Sequence, residues 1–332
     1  MRRIITLVLL FSSVFNGCNA QVKNKKMETK PSNPMLCDPE TGICELPVRN
    51  TDSSTVLPQR KTKPVRVIYF TDPICSSCWG IEPQLRKLEL EYGKDVDIEY
   101  HMGGLLPDWS YNSGGISKPS DVAHHWDEVS HHYDMPIDGD VWLQDPLSSS
   151  YPPSIAFKAA QLQDEHKAHL FLRTIREMVF LQKKNITKWE HLSVAATSVG
   201  LDATRMKTDM EGKAKHLFEE DLVLAQSLGV RGFPTMFFVN EAGNRTMVYG
   251  SKPYDAYEQA VRQILPQVQK AVYGRDWKEL FSIYPSLTAR EFSELSGIAR
   301  AAVESYLQRL TEQGHLKVEH TKNGSIWFIT GR

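Results

Sequence analysis

The chain has 332 residues, of which 41% are hydrophobic and 10% are aromatic. This length and composition are sufficient for at least one full hydrophobic core and indicate two domains. The 39 basic and 40 acidic side chains nearly cancel, which argues against a whole-molecule role in binding nucleic acid or another polyanion.

The N-terminal residues have the pattern of an export signal. Arg2 and Arg3 precede the apolar run Ile4–Phe15, which is too short to span a bilayer, and small or polar residues follow as far as Ala20. We therefore expect residues 1–20 to be a signal peptide and the protein to be exported to the cell envelope.

Cys18 is a candidate lipidation site. The pair Gly17-Cys18 resembles a bacterial lipobox, whose cysteine is acylated after cleavage, although Phe15 and Asn16 depart from the usual residues there. Lipidation of Cys18 would anchor the protein to a membrane on its periplasm-facing side. Ordinary cleavage after Ala20 is the alternative.

A tether with a second cysteine pair is expected next. Residues 21–62 are rich in Lys, Asn, Ser, Thr and Pro and poor in apolar side chains, which predicts a solvated tether. The turn-forming residues between Cys37 and Cys44, among them Gly42, would bring those two sulfurs together. We expect this pair to be either an accessory redox pair that relays electrons to other thiols or a structural clip on the tether. Four cysteines remain once Cys18 is set aside, and this even number fits an oxidising envelope.

The most informative motif is the Cys-x-x-Cys sequence Cys75–Trp79, which follows Asp72 and the apolar run Val65–Phe70. The run predicts a strand, and the motif lies where a helix should begin. Backbone N–H groups and the helix dipole at that position favour an anion, so we expect Cys75 to have a lowered pKa and to attack as a thiolate. Cys78, one turn later, is the predicted resolving thiol.

Two other interpretations of this cysteine pair stay open. The pair is also compatible with half of a zinc site or with an inert structural pair. A tetrahedral zinc site needs two further ligands, and no second Cys-x-x-Cys or Cys-x-x-His sequence follows downstream.

The elements that follow fit a small α/β domain. A helix that supports the cysteines is predicted by apolar residues at helical spacing before Gly93, namely Ile81, Leu85, Leu88 and Tyr92. Val96–Met102 predicts a second strand, parallel to the first through a right-handed crossover. Met236–Val239 and Thr246–Tyr249 predict a hairpin, and Tyr254–Ile264 predicts a closing helix.

Between these elements, residues from about 116 to 228 have a helical pattern throughout. Tyr151-Pro152-Pro153 is expected to break it, and Leu170–Phe180 is a strongly amphipathic segment. Three tryptophans in this region are expected to pack in the core, with a groove for unfolded substrate as the alternative: Trp109, Trp126 and Trp142.

A histidine cluster lies within the same region. His124, Glu128 and His131 share one helical face at a spacing that could hold a divalent metal. We nevertheless expect no metal, because surface and interface clusters are the commoner cause of such a pattern.

A candidate binding segment precedes the predicted hairpin. Within Gly229–Thr235, Pro234 cannot donate a backbone hydrogen bond, which leaves neighbouring backbone free to receive an incoming peptide. We expect Phe233, Pro234 and Thr235, together with Trp79, to bind a substrate chain.

The C-terminal residues 273–332 are predicted to be a separate domain. Thr288–Glu291 is a capping box, Gly297 separates two helical patterns, and a hairpin is joined across Asn323-Gly324. This order resembles a winged-helix domain. Trp277–Arg332 contains seven basic and six acidic residues, which is not the charge pattern of a duplex-binding module. We therefore expect this domain to dock a protein or to dimerise, with no nucleic-acid partner.

Several of these motifs together resemble a known family. The strand, the Cys-x-x-Cys at a helix start, the long helical stretch and Gly-Val-x-Gly-x-Pro-Thr before a hairpin resemble thioredoxin-fold proteins of the DsbA-like, FrnE-type branch, over about residues 65–265. The Asp-Pro-x-Cys-x-x-Cys-Trp sequence also resembles the SpxH/YjbH adaptor proteins of that branch. The resemblance implies that residues 63–272 have a thioredoxin fold, in which the helical residues from about 116 to 228 are an insertion. It also implies a cis peptide bond before Pro234. Ser77 replaces the His that DsbA has there, so we expect a less strongly oxidising pair.

We therefore expect an envelope thiol-disulfide oxidoreductase that acts on protein thiols or disulfides. Cys75 would form a mixed disulfide, Cys78 would resolve it, and Asp72 would assist proton transfer at Cys78. We expect no cofactor. The alternative is an adaptor similar to SpxH, in which the fold is a scaffold that binds a transcription factor and delivers it to a protease. That role requires the cytosol, whereas residues 1–20 indicate export.

Overall fold

The structure is a computed structural model that describes residues 37–38, 42–45, 63–110 and 118–331. These residues belong to one compact unit, Pro31–Arg332, and the other unit, Met1–Lys30, lies outside the described residues. The strands are β1 (Cys37–Asp38), β2 (Ile43–Glu45), β3 (Val65–Thr71), β4 (Val96–Met102), β5 (Gly232–Phe233), β6 (Thr235–Asn240), β7 (Arg245–Tyr249), β8 (Ser286–Thr288), β9 (Leu316–Thr321) and β10 (Gly324–Ile329). The helices are α1 (Ser76–Gly80), α2 (Glu82–Tyr92), α3 (Pro119–Tyr133), α4 (Val141–Gln144), α5 (Tyr151–Gln161), α6 (Glu165–Phe180), α7 (Trp189–Ser198), α8 (Ala203–Glu211), α9 (Lys213–Ser227), α10 (Tyr254–Ile264), α11 (Trp277–Ile283), α12 (Ala289–Ser296) and α13 (Arg300–Glu312).

A four-stranded sheet with the order β4-β3-β6-β7 forms the centre of the molecule. β3 is parallel to β4 and antiparallel to β6, and β6 and β7 form an antiparallel hairpin. Nearly every residue of β3 is buried, as expected for a central strand that is covered on both faces. The predicted parallel strand pair, the hairpin and the thioredoxin-like α/β fold are confirmed.

The helix predicted after the cysteines is present but divided. α1 begins after its N-cap residue Cys75, and α2 begins at Glu82 with Pro83 in its first turn. Proline is favoured at that position because the first N–H groups of a helix have no partner within it. α2 ends at Gly93, as predicted.

The region between β4 and β5 is helical in its described part, from α3 to α9. The expectation that Tyr151-Pro152-Pro153 breaks the helical pattern is wrong, because these residues form the first turn of α5. Proline interrupts a helix in its interior but is tolerated in its first turn. Trp126 and Trp142 are almost fully buried and pack edge to face with ring centroids 5.1 Å apart. These two tryptophans are therefore core residues.

The C-terminal elements have a hydrophobic cluster of their own, built around Phe281, Phe292 and Leu307. They run helix, strand, helix, helix and hairpin, with a sheet in the order β8-β10-β9. The predicted capping box of α12 is confirmed. The Glu291 N–H donates to the Thr288 hydroxyl at 3.2 Å, and the Thr288 N–H donates to the Glu291 carboxylate at 2.8 Å.

A buried ion-pair network, which sequence analysis missed, connects these C-terminal elements to the helices beneath the cysteines. Arg173 on α6 donates to both carboxylate oxygens of Glu291 on α12, at 2.7 and 3.0 Å. Arg86 on α2 lies 3.3 Å from the same carboxylate. Glu291 is fully buried, and a buried charge is stable only with partners. The arginines of α2 and α6 provide those partners.

None of the described helices is both long and apolar enough to cross a membrane.

Candidate functional site

The two cysteines of the motif lie at the start of α1. Cys75 is the N-cap residue, and the N–H of Cys78 donates to its sulfur at 3.2 Å. Both residues are free thiols, so no disulfide joins them. Both are also fully buried. The predicted position of the pair is therefore present, but the pair is closed off from solvent.

Burial reverses the expected acidity of Cys75. We expected the helix N-terminus to lower its pKa. Burial and the neighbouring Cys78 sulfur instead raise the pKa of Cys75 well above its ordinary value, and the Cys78 N–H only partly offsets this. Desolvation dominates because a buried thiolate loses its hydration.

Cys78 has the more stable thiolate of the pair. Burial acts to raise its pKa, but the hydrogen bond from Cys75 and the charge of Arg176 outweigh burial and lower it. Arg176 is itself fully buried and pairs with Glu82 at 2.6 Å. It also donates to the Thr71 hydroxyl at 2.7 Å, at the end of β3.

Arg176 was not predicted as a site residue. The available signal was its position in α6 between apolar residues at helical spacing, where Arg176 lies on the buried side of the helix next to Ile175. A charged residue at such a position is buried only with partners.

Asp72 is fully buried just before the motif. It accepts hydrogen bonds from the N–H groups of Leu105 and Ile74 and from the Ser150 hydroxyl, at 2.8 to 3.0 Å. Burial raises the pKa of Asp72 to about 6, against the lowering effect of these hydrogen bonds. Its charge acts on Cys75, so the described contacts give no specific support to a role at Cys78.

The predicted binding segment lies beside the thiols, and its peptide bond Phe233-Pro234 is cis, as the resemblance implied. The ring of Phe233 packs over Gly103, where an added Cβ would lie 1.7 Å from the ring. Phe233 and Thr235 are almost fully buried. What this segment offers to a peptide is therefore its backbone and not the side chains of these two residues.

That backbone is occupied by a segment from the predicted tether. In β2, Cys44 lies opposite Phe233 and Glu45 lies opposite Gly232, in an antiparallel pair. Ile43 and Cys44 are buried, which corrects, at these two residues, the expectation of a solvated tether. β1 and β2 form the expected turn, with Cys37 opposite Cys44.

The sulfur of Cys44 contacts the site directly. It lies 3.3 Å from the Cys75 sulfur and 3.4 Å from the Ser77 hydroxyl oxygen. Cys44 is disulfide-bonded. Ser77, which stands where DsbA has His, also shares a hydrogen bond of 2.8 Å with the Tyr133 hydroxyl. Neither Ser77 nor Tyr133 was predicted as a contact of the second cysteine pair.

Trp79 was expected to contact a substrate, but its side chain is fully buried. The indole stacks on Phe180 at 5.5 Å, lies 4.4 Å from the guanidinium of Arg173, and donates to the Pro136 carbonyl at 3.0 Å. These contacts give it a packing role beneath the site.

The histidine cluster is on the exposed side of α3. His124 lies 3.2 Å from Glu128, and both side chains are mostly exposed. Among the residues that the structure describes, no group of three His, Cys, Asp or Glu side chains is placed to hold a metal ion. Cys18 and the rest of the predicted signal lie outside the described residues, as does the Pro39-Glu40-Thr41 part of the turn.

Comparison with known proteins supports the fold and corrects the function. A family model described as Thioredoxin matches residues 69–259. A putative protein disulfide isomerase from Nitrosomonas europaea is structurally similar, with a TM-score of 0.54 and 20% identity over 62% of this chain and 99% of that chain. At this identity the likeness shows the fold alone.

Curated relatives extend over more of the chain. A protein of Halalkalibacterium halodurans named ClpXP adapter protein SpxH is 33% identical over 297 residues, which cover 88% of this chain and 96% of the relative. The protein of the same name from Bacillus subtilis is 28% identical over 80% of this chain and 89% of the relative. The expectation that the main function is thiol-disulfide oxidoreduction is therefore wrong, since these relatives carry the name of an adapter. The chain belongs to the thioredoxin family and, within it, to the family of the SpxH proteins.

Proposed function

We propose that this chain is a protein-binding adaptor of the SpxH kind, directed to ClpXP. The observation that carries the proposal is the length of the match to the relatives named ClpXP adapter protein SpxH. The 297 aligned residues are more than residues 69–259 contain. Since the match is not confined to the thioredoxin part, the shared role is that of the whole molecule.

The state of the thiols supports a scaffold. Cys75 and Cys78 are fully buried, and β2 covers the backbone beside them. A disulfide of another protein has no access to either sulfur in this arrangement, and thiol-disulfide exchange requires direct contact between sulfurs. Partner binding by other surfaces does not have this requirement.

The test is degradation in the presence of purified ClpXP. Partners are first captured with the full chain in its own cells, by cross-linking, and each is then offered to ClpXP with and without the chain. We expect the chain to accelerate degradation of at least one partner, and the double variant Cys75→Ser/Cys78→Ser to do so equally well. Absence of any acceleration would overturn the adaptor proposal. Acceleration that is lost in a double variant with a native circular dichroism spectrum would instead overturn the scaffold role of the two thiols.

A second proposal, that the protein is exported to the cell envelope, competes with the adaptor proposal. The basic residues and apolar run before Ala20 support export, and Gly17-Cys18 supports a lipid anchor. A ClpXP adaptor has to be in the cytosol, so both proposals cannot hold for the same molecules. Fractionation of cells, combined with a lipid-precursor label, separates them: intact residues 1–20 in the cytosolic fraction support the adaptor, and a labelled envelope protein overturns it.

We also propose that residues 273–332 are a winged-helix-like module that docks protein. The order of α11 to β10, their own hydrophobic cluster and their nearly balanced charge support this. Ser305 and Gln308 lie on the exposed side of α13. We expect Ser305→Arg/Gln308→Arg to weaken partner capture while the circular dichroism spectrum stays unchanged, and unchanged capture would contradict docking through this helix.

A further inference from the structure

The segment Gly42–Glu45 occupies the position of a peptide ligand on its own chain. Cys44 and Glu45 add a short antiparallel strand to β5, which is a common way for proteins to bind an extended peptide. The Ser251 N–H donates to the Gly42 carbonyl at 2.8 Å, which fixes the start of the segment. This backbone pairing determines which side chain faces the thiols, and that side chain is Cys44.

The contact between the Cys75 and Cys44 sulfurs brings together the two groups that thiol-disulfide exchange requires, a thiol and a disulfide. The Cys75 sulfur belongs to a free thiol, and the Cys44 sulfur, 3.3 Å away, belongs to a disulfide. Both residues are fully buried, so water is excluded from the contact. Holding two reacting groups in contact replaces a bimolecular encounter with an intramolecular step.

We propose that the chain carries out an internal thiol-disulfide exchange in which Cys75 attacks the Cys44 sulfur of a Cys37–Cys44 disulfide. Cys37 is the cysteine opposite Cys44 in the register of β1 and β2, and we assign it as the partner on that ground. The inference does not rest on the adaptor proposal and involves no second protein.

The step balances within the molecule. Cys78, the thiolate of the pair, takes the Cys75 proton through the hydrogen bond between the two sulfurs. The Cys75–Cys44 bond forms, and the Cys44–Cys37 bond breaks with its electron pair passing to Cys37. The proton on Cys78 then passes to the Cys37 thiolate, and Cys78 attacks Cys75, which forms the Cys75–Cys78 disulfide and releases Cys44 as a thiolate. One dithiol is oxidised and one disulfide is reduced, with no external reagent.

The exchange changes the redox state of the segment that covers β5. In the first state the Cys44 disulfide covers the site, and in the second Cys44 is a thiol beside a Cys75–Cys78 disulfide. The Ser77 hydroxyl, 3.4 Å from the Cys44 sulfur, is placed to donate to that sulfur as negative charge develops on it when it is released.

The experiment traps the intermediate in the full chain. In Cys78→Ser the second step cannot occur, so the mixed disulfide should accumulate. After oxidation with one equivalent of oxidised glutathione, the sample is quenched in acid, alkylated and mapped without reduction. We expect a Cys44–Cys75 linked peptide in at least about one-tenth of monomeric molecules, with Cys37 alkylated, at a rate that does not change on tenfold dilution.

Two glycine variants provide the matched control. An added Cβ at Gly42 would lie 2.6 Å from the Ser251 Cβ, whereas at Gly243, which has a similar positive φ, nothing lies within 4 Å. In the Cys78→Ser background, we expect Gly42→Ala to lower the yield of the linked peptide at least about tenfold and Gly243→Ala to leave it unchanged.

Three outcomes would overturn the proposal. They are an intact Cys37–Cys44 disulfide with less than about 1% of the linked peptide in Cys78→Ser, a link that forms only between molecules, or a link of Cys75 to Cys37. Cys75→Ser must abolish the Cys44 link while the circular dichroism spectrum remains native, and a surviving link to another cysteine would also reject the assignment.

Discussion

At the scale of single residues, the acidity of the Cys75 thiol depends on the β2 segment that covers it. The helix N-terminus is present and the Cys78 N–H donates to the sulfur, yet burial raises the pKa of Cys75. Part of that burial comes from Cys44, in contact with it. Removing the cover should therefore change the reactivity of this thiol without altering the motif.

Gly42→Ala should make Cys75 more reactive. The added methyl group collides with Ser251, so β2 should detach, and the pKa of Cys75 should fall back toward its ordinary value. We expect alkylation of Cys75 at pH 7, followed by mass spectrometry, to accelerate about tenfold for each pKa unit recovered. Gly243→Ala is the control, and equal rates in the two variants would contradict a role for the cover.

A second residue-scale prediction concerns Gly103. An added Cβ would lie 1.7 Å from the ring of Phe233, and an overpacked core of this kind costs about 1–3 kcal/mol. We expect Gly103→Ala to lower the free energy of unfolding in urea by about that amount. The double variant Gly103→Ala/Phe233→Leu should recover part of the loss, and no recovery would indicate that the collision is not the cause.

At the scale of elements, one buried polar cluster joins the helical insertion to the sheet. Asp221 on α9 contacts the ring of His101 on β4 at 2.7 Å and accepts from the Met102 N–H at 2.9 Å. Lys158 on α5 also lies 3.0 Å from Asp221. Burial acts to lower the pKa of His101, but its hydrogen bonds with Asp221 and Glu99 outweigh burial and raise it.

This cluster predicts a pH dependence of stability. Because the pKa of His101 is raised in the folded state, its stabilising effect is complete below the ordinary value of 6.5 and is lost as pH rises through the folded pKa. Urea unfolding of the native chain should therefore show stability that declines with rising pH above that value. His101→Gln should show a flatter profile, and parallel profiles for both proteins would contradict the assignment.

At the scale of the whole molecule, the C-terminal elements are held by buried charge as well as by apolar contact. Glu291 is fully buried and receives two hydrogen bonds from Arg173. Arg173 in turn lies over the ring of Trp79. A continuous set of contacts therefore runs from α12 to the helix that carries Cys75 and Cys78.

Glu291→Gln should be strongly destabilising. Glutamine can retain the capping box, but it leaves Arg173 without its bidentate partner, and breaking a buried ion pair costs about 3–5 kcal/mol. We expect a loss near the lower end, about 3 kcal/mol, in urea unfolding, because Glu177 also contacts Arg173. Glu304, whose side chain is mostly exposed, pairs with the partly exposed Arg300. Glu304→Gln should change stability by less than about 1 kcal/mol, and similar losses in both variants would refute the importance of the network.

Features that depend on residues close together in the sequence were predicted correctly more often than features that depend on residues far apart. The strand before Cys75, the end of α2 at Gly93 and the capping box at Thr288 depend on neighbours within one or two turns, and each was predicted correctly. The start of α5 at Tyr151 was missed because a proline pair is compatible with both the end and the beginning of a helix.

The sequence by itself determined the strands and helices around the motif and the position of the Cys-x-x-Cys pair at a helix start, because periodicity and capping act locally. The thioredoxin fold was implied by the resemblance of these motifs to a known family. Only the tertiary structure decided that Cys44 lies on Cys75, that the pKa of Cys75 is raised, and that Glu291 pairs with Arg173. The first contact joins residues 31 positions apart and the last joins residues 118 apart. Desolvation at Cys75 is the summed effect of all the groups that exclude water around it, and those groups are brought together only by the fold.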